Sequence, residues 1–182
     1  MRVISGTARG RKLKEPYGNA IRPTTDMVKE SVFNIIQFDI EGRCVLDLFA
    51  GTGQLGIEAL SRGAKSAVFV DSKQDAIKLI VSNLNHCGLV DYAKVLSRDA
   101  LRYLDGNEKF DLIFIDPPYE AGLVSTALEK ITKVDKLNTN GIIICEMSAD
   151  SLVPEVLPPY FLYKVYKYGK VKVVRYERRH SE

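Results

Sequence analysis

The residues with the most direct chemical meaning stand at 116–119. An apolar run, Leu112-Ile113-Phe114-Ile115, leads straight into Asp116-Pro117-Pro118-Tyr119. Two successive prolines fix the backbone and remove two N–H donors, so the carbonyls of the turn are left to face a cleft. Asp116 and the Pro117 carbonyl are then two acceptors side by side, which suits a planar amine with two N–H bonds to give. An exocyclic amine on a nucleobase is a poor nucleophile because its lone pair is delocalised into the ring. Holding both N–H bonds pyramidalises the nitrogen and turns the lone pair outward. Tyr119 supplies a flat face on which an extruded base stacks, worth about 1–3 kcal/mol. The chemistry is nitrogen attack on an already activated electrophile, and positioning supplies most of the acceleration.

An electrophile of that kind needs a cradle. Asp47-Leu48-Phe49-Ala50-Gly51-Thr52-Gly53-Gln54-Leu55-Gly56 follows an apolar strand and opens a helix, and its glycines fit G-x-G-x-x-G. Dinucleotides and S-adenosylmethionine both use such loops, and charge separates them. A pyrophosphate wants bare backbone N–H groups, whereas Asp47 opposes an anion and attracts the sulfonium and ammonium of S-adenosylmethionine. At about 5 Å in a partly screened site such a pair is worth on the order of 3 kcal/mol. Asp71, 24 residues after Asp47, is placed to accept ribose hydroxyls. Asp99 is placed to accept from an adenine amino group, with Ala100 offering a backbone N–H; helix capping accounts for Asp99 nearly as well. Gln54 stands where a small residue is expected.

The elements that must position these groups alternate. Apolar runs at Cys44–Phe49, Ala67–Val70, Lys94–Leu96, Leu112–Ile115 and Ile142–Cys145 predict strands buried on both faces. Between them, Leu55–Arg62, Lys73–His86, Leu123–Lys133 and a short turn at Ala100–Leu104 read as helices. The alternation predicts an α/β fold with a mostly parallel sheet. A further helix is expected over Asp26–Phe38, and Phe161–Tyr168 with Val171–Tyr176 reads as a closing antiparallel pair around Gly169. Residues 1–22 read as a hairpin or arm, and residues 1–182 as a single domain with its catalytic core at 23–182.

Composition is that of a globular protein, 46% hydrophobic and 27% charged over 182 residues. Three dispersed cysteines and two histidines support neither a disulfide framework nor a metal site. With no secretory signal or bilayer-length apolar run, the expected location is the cytoplasm, away from membranes. The net charge is only +3, yet residues 1–22 hold six Lys/Arg against one acid and residues 160–182 hold seven against two. Basic ends around an acidic body suit termini that meet phosphates.

Taken together, Arg2-Val3-Ile4-Ser5-Gly6, Arg9-Gly10-Arg11-Lys12-Leu13, Arg22-Pro23-Thr24-Thr25-Asp26, the glycine loop and the Asp-Pro-Pro-Tyr turn resemble the RsmD family over essentially the whole chain. The resemblance implies a Rossmann-like class I methyltransferase dependent on S-adenosylmethionine. Its sheet would have seven strands, preceded by an N-terminal β-hairpin extension. It implies methylation of the exocyclic amine of one guanine in 16S ribosomal RNA, by a monomer, within a small-subunit assembly particle. By position, Asp47, Gly51, Gly53, Asp71, Asp99 and Ala100 would line the cofactor site, and Asp116, Pro117 and Tyr119 would hold the guanine. Arg9, Arg11, Lys12 and Arg22 would engage RNA. Thr24 and Thr25 would lie near the cofactor or cap the next helix, and Glu146 would face the base edge. The Asp-Pro-Pro-Tyr turn is shared with DNA adenine methyltransferases, which keeps that class open. A non-enzymatic RNA-binding assembly factor is the other alternative.

Overall fold

Among the described residues, seven strands run in the order β3-β2-β1-β4-β5-β7-β6 across one sheet. The strands are β1 (Cys44–Asp47), β2 (Ser66–Asp71), β3 (Ala93–Ser97), β4 (Phe110–Ile115), β5 (Leu137–Ser148), β6 (Tyr160–Tyr168) and β7 (Val171–Arg178). The first five pair in parallel, and β7 lies antiparallel between β5 and β6. Helices α1 (Asp26–Ile35), α2 (Gln54–Ser61), α3 (Gln74–Cys87), α4 (Ala100–Tyr103) and α5 (Leu123–Lys133) connect them. This computed structural model describes residues 1–16, 26–118 and 122–179.

The unbroken apolar runs become central strands because both faces are covered. Val45, Leu112, Phe114, Ile142 and Ile144 point into one core with residues of α1, α2 and α3. Leu46, Ile113, Ile115, Ile143 and Cys145 point into the other, under α4 and α5. The fold expected from the sequence is the fold observed. Helix α5 has the expected bounds and the other strands extend a residue or more beyond the expected runs, but β1 ends at Asp47, two residues short of the expected Phe49, where the chain turns into the glycine loop.

Helix α1 stops at Ile35, short of the expected Phe38, which is 92% exposed. Arg175 supplies the physical reason: its guanidinium donates to the Ile35 carbonyl at 3.0 Å. The Asp39 N–H, which a continuing helix would send to that carbonyl, goes instead to Ile36 at 2.8 Å. On α3 the apolar residues do not all face inward: Val81 is exposed while Asn83 is buried. Cys44, expected to be buried, is only partly so, because it is the first residue of β1.

The N-terminal segment folds back as a tight loop closed by one antiparallel bridge, Arg2 with Lys12. Its apolar side chains Val3, Ala8 and Leu13 enter the same core as α1 and α2. Glu58 of α2, fully buried, fixes the loop by accepting from the backbone N–H of Ile4 (2.8 Å) and Ser5 (3.0 Å). The same carboxylate accepts from Arg62 at 2.8 Å and lies 3.7 Å from the equally buried Lys29 ammonium, which donates to the Arg2 carbonyl. Desolvation pulls the Lys29 ammonium below the usual lysine range, and Glu58 opposes that shift. Removing one partner of a buried pair strands the other charge. Glu58→Ala is therefore expected to lower stability by about 3–5 kcal/mol. In a chain of this size that is a fall in Tm on the order of 10 °C in a thermal melt. A melt superimposable on wild type would show that the pair is dispensable.

Candidate functional site

The site is built from the carboxyl ends of adjacent strands, where an open α/β sheet forms its ligand crevice. Asp47 is the last residue of β1, in register with Phe69 of β2 and, on its other side, Phe114 of β4. Asp71 is the last residue of β2. Asp99 follows β3 by two residues, and Asp116 follows β4 directly. In sheet order these are Asp99, Asp71, Asp47 and Asp116, a row of acids along one edge of the crevice. Neighbouring strands lie about 4.8 Å apart, so the row extends roughly 14 Å. A row of acids repels a pyrophosphate and suits a ligand with cationic and hydroxyl groups.

Each acid is held differently. Asp47 is 2% exposed and accepts from the Gly56 N–H at 3.0 Å. Burial pushes its carboxyl up to about 7; the Gly56 hydrogen bond opposes this and the charge of Asp71 adds to it. Asp71 uses both oxygens, accepting from the Gly51 N–H at 3.0 Å and from the Lys73 N–H at 2.9 Å. It thereby ties the glycine loop to the end of β2. Asp99 caps α4, accepting from the Arg102 N–H at 2.9 Å, and Ala100 is buried as the first residue of that helix. The capping role of Asp99 is thus observed, and the same residue stands at the β3 end of the row.

The glycines act as the loop demands. Gly51 and Gly53 have φ of 54° and 78°, and Gly53 closes the turn by donating to the Ala50 carbonyl at 2.7 Å. Gly56 serves packing: a Cβ there would lie 2.3 Å from the Phe69 ring of β2. The Gln54 side-chain oxygen is buried and accepts no hydrogen bond from the described residues.

Asp116 is half-buried, Pro117 is buried and Pro118 is exposed at the turn beyond β4. Tyr119 lies outside the described residues, as do Arg22, Thr24 and Thr25. Ile115 pairs with Cys145, which places Glu146, 5% exposed, at the same level of the neighbouring strand as Asp116. Arg9, Arg11 and Lys12 are exposed on the N-terminal loop, and Arg11 also donates to the His86 carbonyl at the end of α3.

One connection was not visible in the sequence. The buried amide of Asn83 accepts from the Lys14 N–H at 2.8 Å and donates to the Lys14 carbonyl at 3.1 Å. It also donates to the Thr52 carbonyl of the glycine loop at 3.0 Å. The N-terminal segment and the glycine loop are thus fastened to one side chain. The only local signal was an asparagine inside an apolar helical stripe.

Known proteins agree with this architecture. A Bacillus subtilis protein, YlbH, is 42% identical over 98% of this chain and all of its own length, and carries the name of an rRNA methyltransferase. Ribosomal RNA small subunit methyltransferase D of Escherichia coli is 31% identical, over 98% of this chain and 90% of the relative. The solved structure of the Escherichia coli protein yhhF, named as a methyltransferase, superposes with a TM-score of 0.89 at 29% identity, covering 100% of this chain and 99% of that one. The model of the family described as conserved hypothetical protein 95 matches residues 1–177. With that match and these relatives, the chain belongs to the conserved hypothetical protein 95 family, that of the RsmD methyltransferases.

Proposed function

We propose that this protein transfers a methyl group from S-adenosylmethionine to the exocyclic N2 amine of one guanine in 16S ribosomal RNA. It acts as a monomer on small-subunit assembly particles, as one functional unit in which residues 1–22 meet RNA and the remainder carries the chemistry. The observation that carries the reading is the row Asp99, Asp71, Asp47, Asp116 along the strand ends, with a two-proline turn beside the last of them. The residues fit the donor: a buried acid suits a cation, and an acid at the end of β2 suits a ribose. When bound, S-adenosylmethionine supplies a methyl carbon activated by its sulfonium.

The chain's own part is geometric. Asp47 and the glycine loop fix the donor end of the crevice, and Asp71 and Asp99 fix the nucleoside end. Asp116 and the Pro117 carbonyl accept the two N–H bonds of the guanine amine, and Tyr119 stacks on the base. As the new N–C bond forms the nitrogen becomes acidic, and its proton passes to the Asp116 carboxylate or to water. A general base of raised pKa is not required. The relatives named for small-subunit RNA support this substrate over DNA.

Mass-spectrometric mapping of ribosomal RNA with and without the gene tests the proposal. One N2-methylguanine of 16S RNA should vanish on deletion and return when the purified protein is added to the deletion strain's subunits. Transfer of labelled methyl to duplex DNA, with no RNA product, would replace this reading with the DNA adenine class.

A further inference from the structure

The basic C-terminal segment has no place in the crevice, and the structure shows where it goes. It forms β6 and β7, and β6 is the outermost strand of the sheet. Resting on the reading of this chain as an rRNA methyltransferase, the geometry points to this edge as a second RNA-contact surface. There, unpaired nucleotides flanking the target stack on ring–cation pairs while lysines hold their phosphates.

Three aromatic rings of β6 each carry a cation. The guanidinium of Arg179 lies 4.0 Å from the Phe161 ring centre, that of Arg175 lies 4.7 Å from Tyr163, and the ammonium of Lys164 lies 5.2 Å from Tyr166. The central pair is rigid. Arg175 is pinned by Asp39 at 3.2 Å, Glu177 at 2.6 Å and the Ile35 carbonyl, so it holds Tyr163 from behind. Tyr163 nevertheless remains 54% exposed. A preorganised ring with an open surface is a stacking platform for any base, and arginine strengthens it.

The charge carried by β6 itself has one sign, the acids Asp39 and Glu177 being paired to Arg175 behind Tyr163. Strand β6 contains two lysines and no acid. Among the described residues, no carboxylate lies within ion-pair distance of Lys164, Lys167, Lys170 or Arg179. Lysines also guard exposed sheet edges against aggregation, but that role needs no aromatic partners. Uncompensated lysines beside stacked rings match the chemistry of single-stranded nucleic acid instead.

The edge is also within reach of the reaction. Strand β6 runs in the same direction as β4, so the β6–β7 turn lies on the crevice side of the sheet. The Ala149 N–H after β5 donates to the Lys170 carbonyl at 2.9 Å, which fixes that turn beside the strand next to Asp116. From β4 to β6 is three strand spacings, about 14 Å. RNA leaving the crevice across β5 and β7 meets Lys170 first and Tyr163 farther down the strand.

The test measures binding of a 16S RNA transcript across a salt series, using Tyr163→Ala, Tyr163→Phe and the double variant Lys164→Glu/Lys170→Glu. All three positions are exposed, and a thermal melt checks the fold. Tyr163→Ala should bind roughly tenfold more weakly, while Tyr163→Phe should match wild type. The charge reversal should weaken binding at least ~10-fold and flatten the log–log salt slope by about 1.4. Unchanged affinity and slope in both would overturn the proposal. So would unchanged RNA affinity combined with lost turnover on assembled subunits, because the edge would then meet a ribosomal protein. Methyl transfer by the wild type is scored separately, so failure of the enzymatic reading is told apart from failure of the edge.

Discussion

Asp116→Ala is expected to lower the rate of methyl transfer a hundred- to a thousandfold, the loss associated with removing one preorganised hydrogen-bond partner from a reacting centre. Cofactor affinity should hold, because Asp116 stands at the end of β4, on the far side of Asp47 from Asp71 and Asp99. Single-turnover transfer of labelled methyl to undermethylated subunits measures the first quantity, and calorimetry the second. Asp116→Asn keeps one acceptor oxygen and should retain more activity than Asp116→Ala. That ordering separates orientation of the amine from proton removal: if the carboxylate were an essential base, the two variants would be equally dead. Turnover at wild-type rates in Asp116→Ala would refute the proposed role of the turn outright.

The second large effect is on pH. The Asp47 carboxyl is pushed up to about 7, chiefly by its burial. A cationic donor is held by the ionised form, so below about pH 7 a proton must leave before the ligand binds. Affinity should then fall by up to tenfold for each pH unit below 7 and level off above it. Asp47→Asn should bind weakly and lose the slope. Stability of the unliganded protein carries the opposite trend. Between pH 3.8 and about 7 the native state retains a proton that the unfolded chain has released. Stability therefore decreases as pH rises through that window, by ~4 kcal/mol from this group if the full shift is realised. Asp47→Asn should remove this part of the decline in melts run across pH. Calorimetry showing a pH-independent dissociation constant in the wild type would remove Asp47 from contact with the cation.

Much of this was legible because it is local. Asp71 and Asp116 directly follow apolar runs and Asp47 lies near the end of one, and a run of that kind is a buried parallel strand. Once the runs are strands, the carboxyl ends must gather at one crevice, and the acids arrive there together. The order in which they stand, with Asp47 between Asp71 and Asp116, comes from strand pairing, which the residues did not show. Lys29 and Glu58 were illegible for a related reason. Each is a charged residue in a helix, ordinarily a solvated position, and only the docking of the N-terminal loop buries both. The early end of α1 depends on Arg175, 140 residues away. The stacking of Arg175 on Tyr163 depends on a register shift between Leu162 and Lys164, which no alternation of apolar and polar residues announces.

The manner in which the first residues are seated limits how this protein can be engineered. Excising residues 1–14 would strip Val3, Ala8 and Leu13 from the core, take the Lys14 backbone away from the Asn83 amide and take the Ile4 and Ser5 N–H groups away from the Glu58 carboxylate. The segment is therefore no interchangeable tag that could be transplanted to redirect the protein to another RNA. Changes of target would have to come through outward side chains such as Arg9 and Lys12, one substitution at a time, with the backbone beneath them kept as it is.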